Sequence, residues 1–155
     1  MEIRINMVKV EPNAYKVMDA LDKFVIGSEI PPLHRELIKI RASQINGCAY
    51  CVNYHTHDAL KLGETQQRLN LIAVWREAGN IFTDEELLLF QMTEQVTLIH
   101  RRGLSKKVYD NAIATFGELK TAQIIMAIVT INAWNRIGVS LNMHPQLDQQ
   151  PLTGE

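Results

Sequence analysis

Apolar residues recur at intervals of three and four along nearly the whole chain, and alternation is confined to the first ten residues, so the pattern predicts helices from about Asn13 onward. The first helix runs to about Phe24, with Tyr15, Met18, Leu21 and Val25 as its apolar face, and Gly27-Ser28 closes it. A second opens after Pro31-Pro32, carries Leu33, Leu37, Ile40 and Ile45, and stops at Asn46-Gly47. A third starts at Cys48 and continues through Val52, Ala59 and Leu62 to Gly63. The fourth runs from a Thr65 cap through Leu69, Ile72 and Trp75 to Gly79. Thr83-Asp84-Glu85-Glu86 reads as a capping box ahead of an apolar segment from Leu87 to Ile99, and Gly103 ends that helix. Ser105 caps a short helix bearing Val108, Ile113 and Phe116, which Gly117 separates from a last helix over about Leu119 to Arg136. The expected fold is all-α, a single-domain bundle of about six to seven helices over residues 1–145, with a fraying polar tail at 146–155.

A chain of 155 residues fits one domain and is long enough to bury its own core without metals or disulfide staples. The two cysteines are therefore free for chemistry. A net charge of -1 gives no reason to expect a nucleic acid partner. The start, Met1-Glu2-Ile3-Arg4-Ile5-Asn6, lacks the basic and apolar regions of a secretory signal. The longest apolar stretch, near Ile124 to Ile131, is broken by Thr130, so no membrane span is expected and the cytoplasm is the expected location. In a reducing compartment, two cysteines three positions apart point to a redox or metal site.

Helical spacing puts Cys48, Cys51 and His55 on one stripe and His57 on the opposite side. The break at Asn46-Gly47 sets Cys48, and less strongly Cys51, at a helix N-terminus, where free amides and the helix dipole stabilise a thiolate. His55, one turn past Cys51, is the candidate base, and Glu36 reaches this group if its helix folds back as a hairpin. The same four side chains would also suit tetrahedral zinc. Haem attachment is excluded, because Val52 stands where a histidine is needed. Tyr50 reads as a pocket wall or proton donor, Tyr54 as a packing residue, Trp134 as core, and His34, His57, His100 and His144 are assigned no role.

The run Ser43-Gln44-Ile45-Asn46-Gly47-Cys48-Ala49-Tyr50-Cys51, followed by His55, resembles the core signature of the alkylhydroperoxidase D-like group within the carboxymuconolactone decarboxylase superfamily. The resemblance is strongest from Glu36 to Leu62, and Asn132-Ala133-Trp134-Asn135-Arg136 is similar to the short single-domain members. It implies a thiol-disulfide oxidoreductase with Cys48, Cys51, His55 and Glu36 as catalytic residues and no cofactor. Cys51 would reduce a hydroperoxide, Cys48 would resolve the product as a disulfide, and a dithiol reductant would restore the pair. It also implies a homo-oligomer, a trimer or hexamer. Where the best-studied peroxidases of the group carry a histidine between the cysteines, this chain has Tyr50, so one relay member is missing. The alternatives are a decarboxylase acting on a lactone acid, which generally lacks such a cysteine pair, and a non-catalytic redox sensor or zinc-binding module.

Overall fold

A computed structural model describes residues 2–146. The elements in chain order are α1 (Met7–Val10), α2 (Pro12–Ile26), α3 (Pro32–Asn46), α4 (Ala49–Lys61), α5 (Gln66–Leu71), α6 (Asp84–Thr97) and α7 (Lys106–Ser140), with short 3₁₀ turns between. The all-α expectation holds, and no strand occurs among the described residues. The alternating start instead forms the single turn α1, because the Asn6 side chain accepts the Lys9 amide and caps it. The expected fraying tail beyond residue 146 lies outside the described residues.

Local signals account for most helix ends. Pro32 opens α3, and Gly47, in the left-handed region at φ 68°, ends it. Both halves of the Thr83–Glu86 capping box are present at α6. Gly117, at φ 74° and ψ 172°, breaks the course of α7, as the spacing predicts. The fourth predicted helix is a correction: its α-helical part stops at Leu71 and continues as a 3₁₀ turn. Val74 leaves helical space there (φ -121°, ψ 28°), and Trp75 and Arg76 both turn their N–H groups to Glu94 of α6. This tertiary pull outweighs the helical periodicity of 65–79.

α3 is the central element and packs against α4, α6 and α7. On one side Ile38 joins Leu89, Met92, Ile124 and Ile128; on the other Leu37 and Ile40 join Ile72, Trp75, Phe82 and Phe90. A side chain on almost any face of α3 is therefore enclosed, Glu36 included. By length and mean hydropathy α7 is apolar enough to cross a membrane, as a long core helix also is. Thr130 does not interrupt it in the way the sequence suggests, because its hydroxyl donates to the Met126 carbonyl at 2.8 Å within the same helix.

Candidate active site

The α3–α4 hairpin builds the site. Reversal at Gly47 lets the Cys48 amide donate back to the Ser43 carbonyl at 3.0 Å, and α4 departs antiparallel to α3. Cys48 is the N-cap of α4 and lies outside the helix proper, so the helix starts one position later than the spacing predicts. Its sulfur accepts the Cys51 amide at 3.4 Å, taking the place a serine or aspartate oxygen fills at other helix starts. The two cysteine sulfurs face each other within reach of a disulfide, with Cα atoms 5.4 Å apart.

A buried amide cluster clamps this turn to α7. The Asn46 side-chain NH₂ donates to Asn132 Oδ1 (3.0 Å) and Asn135 Oδ1 (2.8 Å), and Asn135 Nδ2 donates to Ser43 Oγ (2.9 Å). Asn132 in turn donates to Thr97 Oγ1 of α6 at 2.9 Å. Every member is partnered, as burial requires.

Hairpin closure also brings Glu36 of α3 to His55 of α4. Glu36 Oε2 accepts from His55 Nδ1 at 2.7 Å, and Glu36 Oε1 accepts from Lys39 Nζ at 2.9 Å. A carboxylate on Nδ1 fixes the tautomer that leaves Nε2 as the basic ring nitrogen. Burial pushes the Glu36 carboxyl up, but the His55 hydrogen bond and the Lys39 charge outweigh it, and the group lies below the usual carboxylate range.

Beside these groups is a cavity of about 400 Å³, walled by α2, α3, α4 and α7. Cys51, His55, Lys39, Tyr50 and Tyr54 line it on the hairpin side, and Tyr15, Trp134, Ile131 and Gly138 line it opposite. Cys51 opens into the cavity; Cys48, at 2% exposure, does not line it. Tyr50 and Tyr54 stack with centroids 6.4 Å apart, and Tyr54 meets the His55 ring edge-on at 5.2 Å. Trp134, assigned to the core from its helical spacing, is part of the cavity wall; its indole N–H donates to Asp22 Oδ2 at 2.8 Å and Tyr15 packs edge-on against it.

For a metal, Glu36, His55 and Asp58 offer ligand atoms within 4.8 Å of one another. Glu36 Oε1 is held by Lys39 and Oε2 by His55, and the two cysteine sulfurs face each other across the first turn of α4. Sequence reasoning missed Lys39, Gly138 and Asp22. Only Lys39, one turn from Glu36, left a signal in the spacing.

The model of the carboxymuconolactone decarboxylase family matches residues 12–94, which hold the whole α3–α4 hairpin with both cysteines, Glu36 and His55. The chain belongs to the carboxymuconolactone decarboxylase family. Within reach of this family the chain is 35% identical over 141 residues to an uncharacterized protein, YdfG, of Bacillus subtilis strain 168, covering 91% of this chain and 95% of that one. A crystal structure of a protein of unknown function from Agrobacterium tumefaciens, described as a candidate antioxidant defence protein AhpD, superposes with a TM-score of 0.90 at 37% identity, covering 94% of this chain and all of that one. Fold alone is shared with an uncharacterized peroxidase-related protein of Silicibacter sp. TM1040, at TM-score 0.74 and 19% identity over 86% of this chain and 69% of that one. The carboxymuconolactone decarboxylase family member described here therefore has the AhpD-like all-α fold.

Proposed function

We propose that this chain is a dithiol peroxidase that reduces organic hydroperoxides in a reducing cytoplasm. The observation that carries the reading is the asymmetry of the cysteines: Cys51 opens into a cavity beside a Glu36–His55 pair, while Cys48 is shielded behind it. In the reduced protein His55 Nε2 takes the Cys51 proton, and Glu36 holds the resulting imidazolium. The Cys51 thiolate attacks the terminal oxygen of the hydroperoxide, the O–O bond breaks, and the alkoxide leaves with the proton from His55. Cys51 is then a sulfenic acid. Cys48 attacks that sulfur, water departs, and the disulfide forms; an external dithiol returns two electrons and two protons.

The aromatic wall of Tyr15, Tyr50, Tyr54 and Trp134 suits an organic group on the peroxide, and no resident cofactor is needed for the cycle. A dithiol reductant protein or small thiol is the proposed electron donor and a trimer or hexamer the proposed assembly. The test is a thiol titration of reduced, metal-free protein with a small excess of alkyl hydroperoxide, repeated after adding a dithiol. Loss of two thiols per chain with renewed turnover, abolished in Cys51→Ser, supports the peroxidase; thiols that survive peroxide sink it.

A further inference from the structure

We infer that Lys39 is a positioning residue for the Cys51 thiolate, acting through Glu36. The inference deepens the proposed relay and rests on it. Glu36 divides its two oxygens between two cations or potential cations, Lys39 on Oε1 and His55 on Oε2, and both contacts are short and largely out of solvent. A carboxylate buried to this degree tends to take up a proton, and a protonated Glu36 would no longer favour an imidazolium. Lys39 opposes that protonation. It sits one turn along α3 and holds Oε1, the carboxylate oxygen that His55 does not engage.

Apart from His55 itself, the surroundings leave this task to Lys39. From α2, Asp22 and Tyr15 reach the cavity, and Asp22 is engaged by Trp134. Burial pushes the Tyr15 hydroxyl up, so it stays neutral. From α4, Tyr50, Tyr54 and Asp58 are near; the Asp58 charge pushes Tyr54 up, and Asp58 is paired with Lys61. α7 presents no titratable side chain to the cavity wall. Among the described residues Lys39 is thus the one ammonium group lining the cavity, and it is spent on the carboxylate that holds the base.

The consequence is a chain of dependence. Lys39 keeps Glu36 ionised and oriented, Glu36 keeps His55 able to hold a proton, and the imidazolium keeps Cys51 as a thiolate. A site in which Lys39 merely braced the helix would lose stability without a change in thiol titration.

The test follows iodoacetamide alkylation of Cys51 against pH in reduced, full-length protein carrying Cys48→Ser, so that a single thiol reports. Lys39→Met should raise the midpoint and slow alkylation at neutral pH about tenfold, one pKa unit being a tenfold change in thiolate. Lys39→Arg should restore most of the rate. In a Glu36→Gln background, Lys39→Met should add nothing, because its route to the thiol is already cut. An unshifted midpoint in Lys39→Met, or a full additional loss in the Glu36→Gln background, overturns the inference. Glu36→Gln alone separates the two claims: if it leaves Cys51 titration unchanged, the relay itself is wrong, whatever Lys39 does. Circular dichroism and a thermal melt of each variant establish that the compared proteins are folded.

Discussion

Gly138 lies directly behind Cys48: a β-carbon built on it would come 3.1 Å from the Cys48 sulfur and 3.7 Å from that of Cys51. The glycine is on α7 in ordinary helical backbone, so conformation does not demand it; space does. A bridged sulfur is fixed by its bond and cannot retreat, whereas a free thiol can rotate away from a methyl group. Gly138→Ala should therefore penalise the disulfide more than the dithiol. With a crowding cost of about 1 kcal/mol in the oxidised form, the equilibrium with a reference dithiol shifts roughly fivefold toward reduced protein. Alanine also favours helix in both forms, so thermal stability of the reduced protein should rise or hold. Equal equilibrium constants for the variant and the parent would show that the sulfurs move freely past position 138.

Glu36 should make stability pH-dependent in a defined direction. Its carboxyl lies below its ordinary value of 4.5 in the fold, so around that pH the unfolded chain binds more protons than the folded one. Its stabilisation is complete above the unfolded value and is lost as pH falls through the folded one. Glu94 adds to the same acid limb: burial pushes it up, but hydrogen bonds from Arg76, Trp75 and Arg41 hold it below its ordinary value. Urea unfolding of Glu36→Gln from about pH 6 to about pH 3 should give a shallower fall than the parent protein. Parallel curves would mean the carboxylate contributes nothing through its His55 and Lys39 contacts.

Two glycines at positive φ should differ in what alanine does to them. A β-carbon at Gly47 or Gly117 meets nothing within 4 Å, so the cost in each case is backbone strain alone. Gly47, at φ 68° and ψ 28°, is in left-handed helical space, where alanine costs about 1 kcal/mol. Gly117, at φ 74° and ψ 172°, is in a region open essentially only to glycine, and alanine should cost about 2 to 3 kcal/mol. Chemical denaturation orders the two; a smaller loss at Gly117 would contradict the break in α7.

What could be read from the sequence divides along local and tertiary lines. Proline pairs, the Asn46-Gly47 stop, the Thr83–Glu86 box and the Gly117 break are demands of neighbouring backbone, so each leaves a mark within a few residues of itself. The cysteine pair with His55 is legible for the same reason, since Cys48 caps the helix that carries Cys51 and His55. The approach of Glu36 to His55, 19 positions apart in sequence, needed only the hairpin that Asn46-Gly47 announces. Trp134 escaped because α7 packs on several sides, and periodicity does not distinguish a core neighbour from a cavity. Gly138 escaped because the need for an absent side chain has no pattern; it exists only once α7 has been laid across the sulfurs. The 3₁₀ course of 72–77 likewise depends on Glu94, on an element not yet formed when the segment is read alone.

Asn135 tests whether the amide cluster supports the cysteine turn. It accepts from Asn46 and donates to Ser43, so it bridges the last turn of α3 to α7 immediately before Gly47 and Cys48. Asn135→Ala leaves Asn46 with one acceptor fewer and the buried Ser43 hydroxyl without its donor, at a cost of about 2 to 3 kcal/mol. The loss should be local as well as global. With its anchor weakened, the turn should open more often, and amide exchange at Gly47 and Cys48 should accelerate beyond what the global loss explains. Thr93→Val offers a control at a buried site away from the turn: its hydroxyl bonds only to the Leu89 carbonyl within α6, so it should lower stability without selectively exposing those two amides. If both variants expose Gly47 and Cys48 equally, the cluster stabilises the bundle in general and does not hold the cysteine turn.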